Sequence, residues 1–134
     1  KLDADIAKAM MSIGAVKAVE IGAGILAPEM TGFENNDPLT PKGFASNHSG
    51  GILAGISNGD EIVARVHVKP IPSILKPQET LTDKGLPTIV STKGRHDICA
   101  IPRINMVCES MLALVLTDHI LRQKTIGENF GPIF

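Results

Sequence analysis

The sequence contains no tryptophan, no tyrosine and only four phenylalanines among its 134 residues. A hydrophobic core must therefore be built from isoleucine, leucine, valine, methionine and alanine. Aromatic side chains, on which proteins stack the bases of single-stranded nucleic acids, are correspondingly scarce. The composition thus argues against a nucleic-acid-binding module.

A strong charge of either sign is also missing. Thirteen basic and fourteen acidic residues leave a net charge of −1, so there is no overall basic field to attract nucleic acid or an anionic membrane. No signal-peptide pattern is present, and no uninterrupted apolar run approaches the roughly 18 residues that span a bilayer. We therefore expect no nucleic-acid partner and no membrane partner, and any anion site must be local.

Metal ligands and disulfide frameworks have little support. Two cysteines are too few for a disulfide framework, and the four histidines lack the H-E-x-x-H or close Cys/His spacing of metal sites. We expect no metal, and the reducing cytoplasm is the plain interpretation of the cysteine content. The residues concerned are Cys99, Cys108, His48, His67, His96 and His119.

Hydrophobic residues make up 43% of the chain and charged residues 20%, which predicts a folded protein of one-domain size. Apolar residues recur every three or four positions over 2–13 and predict a helix that ends at Gly14, followed by a strand over Val16–Ile21. Alternation over 61–68 predicts a second strand, ended by Pro70, and residues 88–92 predict a third.

A second, longer helix is predicted to begin at Pro102 and to run to Lys124. Its apolar stripe is so broad that we expect other elements to cover it on more than one side, beneath an antiparallel sheet. Polar residues interrupt that surface and argue against a transmembrane helix. The residues that broaden the stripe are Leu114, Leu116, Ile120 and Leu121, and the interruptions are Asn105, Glu109, Asp118 and His119.

Two polar segments stand out within the irregular parts of the chain. Residues 46–59 read Ser-Asn-His-Ser-Gly-Gly-Ile-Leu-Ala-Gly-Ile-Ser-Asn-Gly. Glycines of this kind let backbone N–H groups approach a phosphate or a ring closely, although a bulged turn or hairpin accounts for them equally well. The segment matches neither a Rossmann fingerprint nor a Walker A loop.

The second segment, residues 92–97, reads Thr-Lys-Gly-Arg-His-Asp. The arginine offers planar donors suited to phosphate or carboxylate, and the adjacent aspartate can orient a group or exchange a proton. A solvated turn with one surface salt bridge is the alternative. Lys69 has the same ambiguity, since it either extends into solvent at a strand end or faces an anion.

Together, residues 46–59 and 93–97 resemble the signature segments of the chorismate synthase family in order and spacing. Residues 2–7, 12–17 and 109–116 extend the resemblance over nearly the whole chain. It covers only the C-terminal part of such enzymes, so we expect residues 1–134 to be a fragment whose N-terminal part is absent. The implied fold is of the α+β class and is part of a β-α-β sandwich, with antiparallel sheet packed on long helices.

The resemblance implies a lyase that acts in the shikimate pathway of aromatic amino acid biosynthesis. Its reaction is an anti-1,4-elimination of phosphate from 5-enolpyruvylshikimate 3-phosphate that yields chorismate and requires reduced FMN. Association with NADP, a cytoplasmic location and a homotetramer are implied as well. The fragment itself is expected to be inactive, because the family's two catalytic histidines fall outside it. The alternative is a non-catalytic flavin- or anion-binding module completed by a partner chain.

The same resemblance assigns site residues. Asp97 matches a carboxylate thought to assist proton transfer near the flavin, and Arg95 matches an arginine that contacts flavin and substrate. The other implied cofactor-binding residues are Gly14, Ala15, Ala54, Lys69, Pro70, Ile71, Pro72 and Ser73. Departures from the family pattern fall at Gly14, Ala54, Ile71-Pro72 and Ile98, and none of them removes a charged group.

Overall fold

The computed structural model describes residues 1–126 of the chain. The first half holds helix α1 (Leu2–Met11), strand β1 (Val16–Ile21), a short 3-10 helix (Gly24–Glu29) and strands β2 (Leu39–Thr40), β3 (Gly43–Phe44), β4 (Ile52–Leu53) and β5 (Ile56–Ser57). Strands β6 (Ala64–Val68), β7 (Gln78–Leu81) and β8 (Pro87–Val90) follow, and helix α2 (Ile101–Ile126) comes last. The predicted α+β class is confirmed.

The strands form four antiparallel pairs, of which β1 with β6 is the longest. Val19 lies opposite Val66, and a bulge interrupts the register between Val16 and Ala18. The predicted alternation is confirmed, because Ala64, Val66 and Val68 are half-buried whereas the residues between them are exposed. The strand begins at Ala64, three residues later than the pattern indicates.

Helix α1 is the centre of the hydrophobic core. Its positions Leu2, Ile6 and Met10 are buried, as their four-residue spacing predicts, and they pack with Ile52. Half-buried residues surround this cluster from the β1–β6 pair and from α2. They are Val19, Ile21, Ala64 and Val66 on the strands, and Cys108, Met111, Leu112, Val115 and Leu116 on α2.

Helix α2 is about 39 Å long at 1.5 Å per residue, and none of its residues is buried. It packs on α1 through one stripe, while Leu114 and Leu121 remain 66% and 57% exposed. The prediction of cover on more than one side is therefore wrong for residues 1–126. Helix α1, rather than α2, is the helix that packs against strand β1.

Helix α2 is more hydrophobic than we predicted from its sequence, in which polar residues interrupt the apolar surface. An 18-residue window has a mean hydropathy of 1.4, so α2 is long and apolar enough to cross a membrane by length and composition alone. Core helices of folded domains pass the same criterion. Here α2 is joined to α1 by its half-buried stripe and by a hydrogen bond of 2.9 Å between His119 Nε2 and Asp5 Oδ2.

Candidate functional site

Two of the segments assigned to cofactor binding lie side by side. The backbone N–H of Lys69 donates to the carbonyl oxygen of Ala15 at 2.9 Å, directly beyond the pair that Val16 makes with Val68. The β1–β6 ladder thus brings Gly14 and Ala15 to the start of the segment 69–73. Their proximity is a consequence of the antiparallel pairing.

Ala15 and Ala54 share an uncommon backbone conformation. Their φ angles are 72° and 51°, and they are the only non-glycine residues with positive φ in the part of the chain that the structure describes. A side chain with a Cβ is disfavoured there by roughly 1–2 kcal/mol. Such strain concentrates at ligand-binding sites, so its occurrence at both alanines supports the assignment of a contact to each.

Ala54 lies at the opposite end of α1 from Ala15. It stands in the turn between β4 and β5, and the carbonyl oxygen of the next residue, Gly55, accepts the N–H of Leu2 at 2.9 Å. Ala15, by contrast, follows the last turn of α1. Because this helix is ten residues long, the two alanines flank a span of about 15 Å. Only an elongated ligand could contact both.

Arg95 and Asp97 are both exposed. Asp97 Oδ2 accepts from Arg103 Nη1 at 3.0 Å, with the two side chains 58% and 80% exposed, so this ion pair contributes little to stability. Within residues 1–126, neither Arg95 nor Lys69 makes an ion pair. Both cations are therefore available to an anionic ligand.

Asp37 is hydrogen-bonded to the glycine-rich segment, and the sequence did not lead us to predict this contact. Its carboxylate is 5% exposed and accepts the backbone N–H groups of His48 (2.8 Å) and Ser49 (2.9 Å) and the hydroxyl of Ser46 (2.7 Å). Burial raises the pKa of Asp37, but these hydrogen bonds outweigh it and hold the pKa far below its usual range. The Asn-Asn-Asp-Pro run at 35–38 was the available signal, because such residues favour side-chain-to-backbone turns.

A second buried carboxylate, Glu20, joins β1 to β6. Its side chain is 7% exposed, contacts the ring nitrogen Nε2 of His67, and accepts from Arg65 Nη1 at 3.1 Å. Burial raises the pKa of Glu20, yet the hydrogen bond from His67 and those from the Ile25 backbone and Arg65 bring it below its usual value. His67 lies at an exposed position of β6. Among residues 1–126, no group of three or more His, Cys, Asp and Glu side chains is placed to hold a metal ion.

Two concave regions are bordered by residues outside the assigned set. One of about 610 Å³ lies against the β7–β8 hairpin and includes Leu81 and Ile89. The other, of about 230 Å³, is bordered by Asp37, Ser49 and Leu53, next to Ala54 in the chain. Neither contains a residue assigned to the cofactor. Each assigned residue is exposed or half-buried.

Comparisons with known proteins agree with the resemblance. The family model for chorismate synthase matches residues 1–121. A chorismate synthase of Desulfosudis oleivorans is 69% identical over 127 residues, which are 95% of this chain and 36% of the relative. One of Syntrophobacter fumaroxidans is 64% identical over 126 residues, 94% of this chain and 36% of the relative.

The fold comparison leads to the same class of protein. A solved structure described as a crystal structure of chorismate synthase matches with a TM-score of 0.68 and 37% identity, and the match covers 91% of this chain and 30% of that one. That class is an α+β protein with the fold of this structure. The chain belongs to the chorismate synthase family. It spans about a third of the length of the relatives it matches, and no comparison supports the alternative of a non-catalytic module.

Proposed function

We propose that this chain is the C-terminal part of a chorismate synthase. The intact enzyme eliminates phosphate from 5-enolpyruvylshikimate 3-phosphate to give chorismate, with reduced FMN as cofactor. The proposal is carried by one agreement: residues 1–121 match the family, and Ala15 and Ala54, two positions that the resemblance assigns to the cofactor, both have positive φ angles. A cytoplasmic homotetramer, with NADP associated with its flavin chemistry, completes the proposal.

The chain's own residues fit an elongated, anionic, planar cofactor. Gly14 has open space around it, since a Cβ added there would meet no atom within 4 Å, and the backbone of Ala15 is held beside Lys69. Prolines at 70 and 72 restrict the backbone of the segment that would lie along the cofactor, which also includes Ile71 and Ser73. When bound, reduced FMN supplies an electron that assists the departure of phosphate and is afterwards returned.

The charged residues would act on the anionic parts of the ligands. Lys69 and Arg95 bind phosphate or carboxylate groups, because both are cations without an ion pair in the described residues. Asp97 holds or moves a proton at its carboxylate oxygens, one of which now accepts from Arg103. The exposure of Asp97 and Arg103 leaves room for substrate to displace this contact.

The chain alone is expected to lack turnover. Arg95 and Asp97 are exposed, and neither of the two concave regions described above is bordered by a residue assigned to the cofactor. The test supplies residues 1–134 and, separately, the intact protein with reduced FMN and 5-enolpyruvylshikimate 3-phosphate without oxygen, and follows chorismate. We expect turnover only from the intact protein. Comparable turnover from the short chain would refute its incompleteness.

Substitution of Asp97 tests the assigned role. Asp97→Asn in the intact protein should lower kcat by about 100-fold, the usual size of a proton-transfer contribution, with an unchanged melting temperature. Arg103→Ala is the matched control, because it removes the ion-pair partner but leaves the carboxylate. An Asp97→Asn protein with undiminished kcat would contradict the role.

A further inference from the structure

The carboxylate of Asp37 is linked to the cofactor contact at Ala54 by a short series of backbone interactions. The first step is local. Asp37 accepts three hydrogen bonds from residues 46–49, and His48 Nδ1 lies 3.3 Å from the same carboxylate. One ionised side chain, 5% exposed, therefore fixes the start of the glycine-rich segment.

The second step joins this segment to the β1–β6 pair. The carbonyl oxygen of His48 accepts the N–H of Ala23 at 2.7 Å, and that of Gly50 accepts the N–H of Val63 at 3.1 Å. The backbones are so close that a Cβ added to Gly50 would lie 2.4 Å from the backbone nitrogen of Gly22. Residues 46–50 are therefore packed as one unit against the backbone that follows β1 and precedes β6.

The third step reaches Ala54. Asn47 Oδ1 accepts the N–H of Gly51 at 2.7 Å, and the carbonyl oxygen of Gly51 accepts the N–H of Asn58 at 3.0 Å, so the base of the β4–β5 hairpin rests on residues 46–51. Ala54 lies in the turn of this hairpin and has a strained φ of 51°. An L-residue keeps that conformation only where the surrounding structure over-determines it.

We propose that Asp37 is a positioning residue for the cofactor: its buried, ionised carboxylate holds residues 46–51 so that the backbone at Ala54 is presented to FMN. The inference rests on the proposed function. Asp37 does not touch the cofactor in this proposal and acts only through the loop. Asparagine at this position keeps the size but replaces one acceptor by an NH2 group, which faces N–H donors.

The test is FMN affinity of the intact protein, measured by flavin fluorescence and without turnover. Asp37→Asn should weaken FMN binding by about tenfold, while kcat at saturating FMN stays within about twofold. Ser46→Ala, which removes one of the hydrogen bonds, should weaken binding by about threefold and decides the question if Asp37→Asn fails to fold.

Glu20→Gln is the matched control, because Glu20 is as buried as Asp37 but its side-chain partners lie on β6 and none of its partners lies in residues 46–51. Glu20→Gln should lower the melting temperature and leave FMN affinity unchanged. If Asp37 had a merely structural role, Asp37→Asn and Glu20→Gln would not differ in FMN affinity. Unchanged affinity in folded Asp37→Asn and Ser46→Ala, or an equal loss in Glu20→Gln, would overturn the proposal. An unsubstituted intact protein that bound no FMN would overturn the proposed function as well.

Discussion

Single residues in this chain are constrained most strongly where two backbones touch. Gly22 has a φ of 59°, and a Cβ added there would lie 2.1 Å from the carbonyl oxygen of His48 and 2.5 Å from the nitrogen of Gly50. Backbone atoms cannot move aside as a flexible side chain does. Glycine at this position is therefore required both by conformation and by space.

Gly22→Ala should lower the free energy of unfolding by at least about 2 kcal/mol, because left-handed strain and a backbone clash act together. Gly32→Ala is the control, since a Cβ there meets no atom within 4 Å, and it should change the free energy of unfolding by less than about 0.5 kcal/mol. Urea denaturation of both variants measures the difference. Equal effects of the two substitutions would contradict the clash.

The buried carboxylates predict how stability depends on pH. The pKa of Asp37 is lowered by folding, so its contribution is fully present above the unfolded-state value of about 3.9 and is lost as the pH falls toward the folded-state value. Glu20 acts in the same direction. Urea denaturation should show stability falling below pH 4, with a shallower fall in Asp37→Asn. An identical acid slope in that variant would show that Asp37 contributes nothing.

At the scale of elements, α1 provides most of the core although it is the shorter helix. Its apolar stripe packs against β1 on one side and α2 on another, and Ile6 is completely buried between them. Helix α2 offers a longer apolar surface but packs through one stripe only. Burial in the described residues therefore depends on which helix lies in the middle, not on length.

Ile6→Ala should lower the free energy of unfolding by about 3 kcal/mol, through lost transfer energy and the cavity that remains. Ile25→Ala removes the same atoms from a side chain that is 70% exposed and should have an effect below about 0.5 kcal/mol. Thermal and urea denaturation compare the two variants. A loss below about 1 kcal/mol for Ile6→Ala would contradict the central place of α1 in the core.

At the scale of the whole molecule, a large apolar surface is left open along α2. Met106, Leu114, Ile120 and Leu121 are each more than half exposed, and 26 residues of helix contain no buried one. Contiguous apolar surface of this kind marks an interaction site or leads to association. Residues 1–134 alone should therefore bind a hydrophobic dye and sediment above the monomer mass, whereas the intact protein should bind the dye weakly.

The double variant Leu114→Gln with Leu121→Gln should reduce dye binding by more than half. Ile25→Gln, equally exposed but outside α2, should leave dye binding nearly unchanged. A monomeric short chain that bound no dye would contradict the interpretation of this surface.

Local spacing was sufficient for the elements with a strong period, and the resemblance of sequence motifs was sufficient for the family. The spacing of residues at most four positions apart predicted four elements, because side-chain direction along one element repeats with a fixed period. These elements are helix α1, strands β1 and β6, and helix α2. Strand β7 was missed, because its Gln-Glu-Thr-Leu sequence has neither an apolar run nor a β-branched majority. The motifs at 46–59 and 93–97 identified a family that the comparisons confirm.

Contacts between distant residues were decided only by the tertiary structure. Asp37 is hydrogen-bonded to residues 46–49, and Glu20 contacts Arg65 and His67, which lie more than 40 positions away in the sequence. The periodicity within a single helix or strand does not specify such contacts, because they depend on how separate segments pack together. The tertiary structure also decided that Ala15 lies beside Lys69 and that Ala54 lies at the other end of α1. The scarcity of aromatic residues by itself determined that the core is aliphatic. Only the tertiary structure decided that this core surrounds α1 and that most of the surface of α2 is exposed, because burial depends on which elements surround a surface.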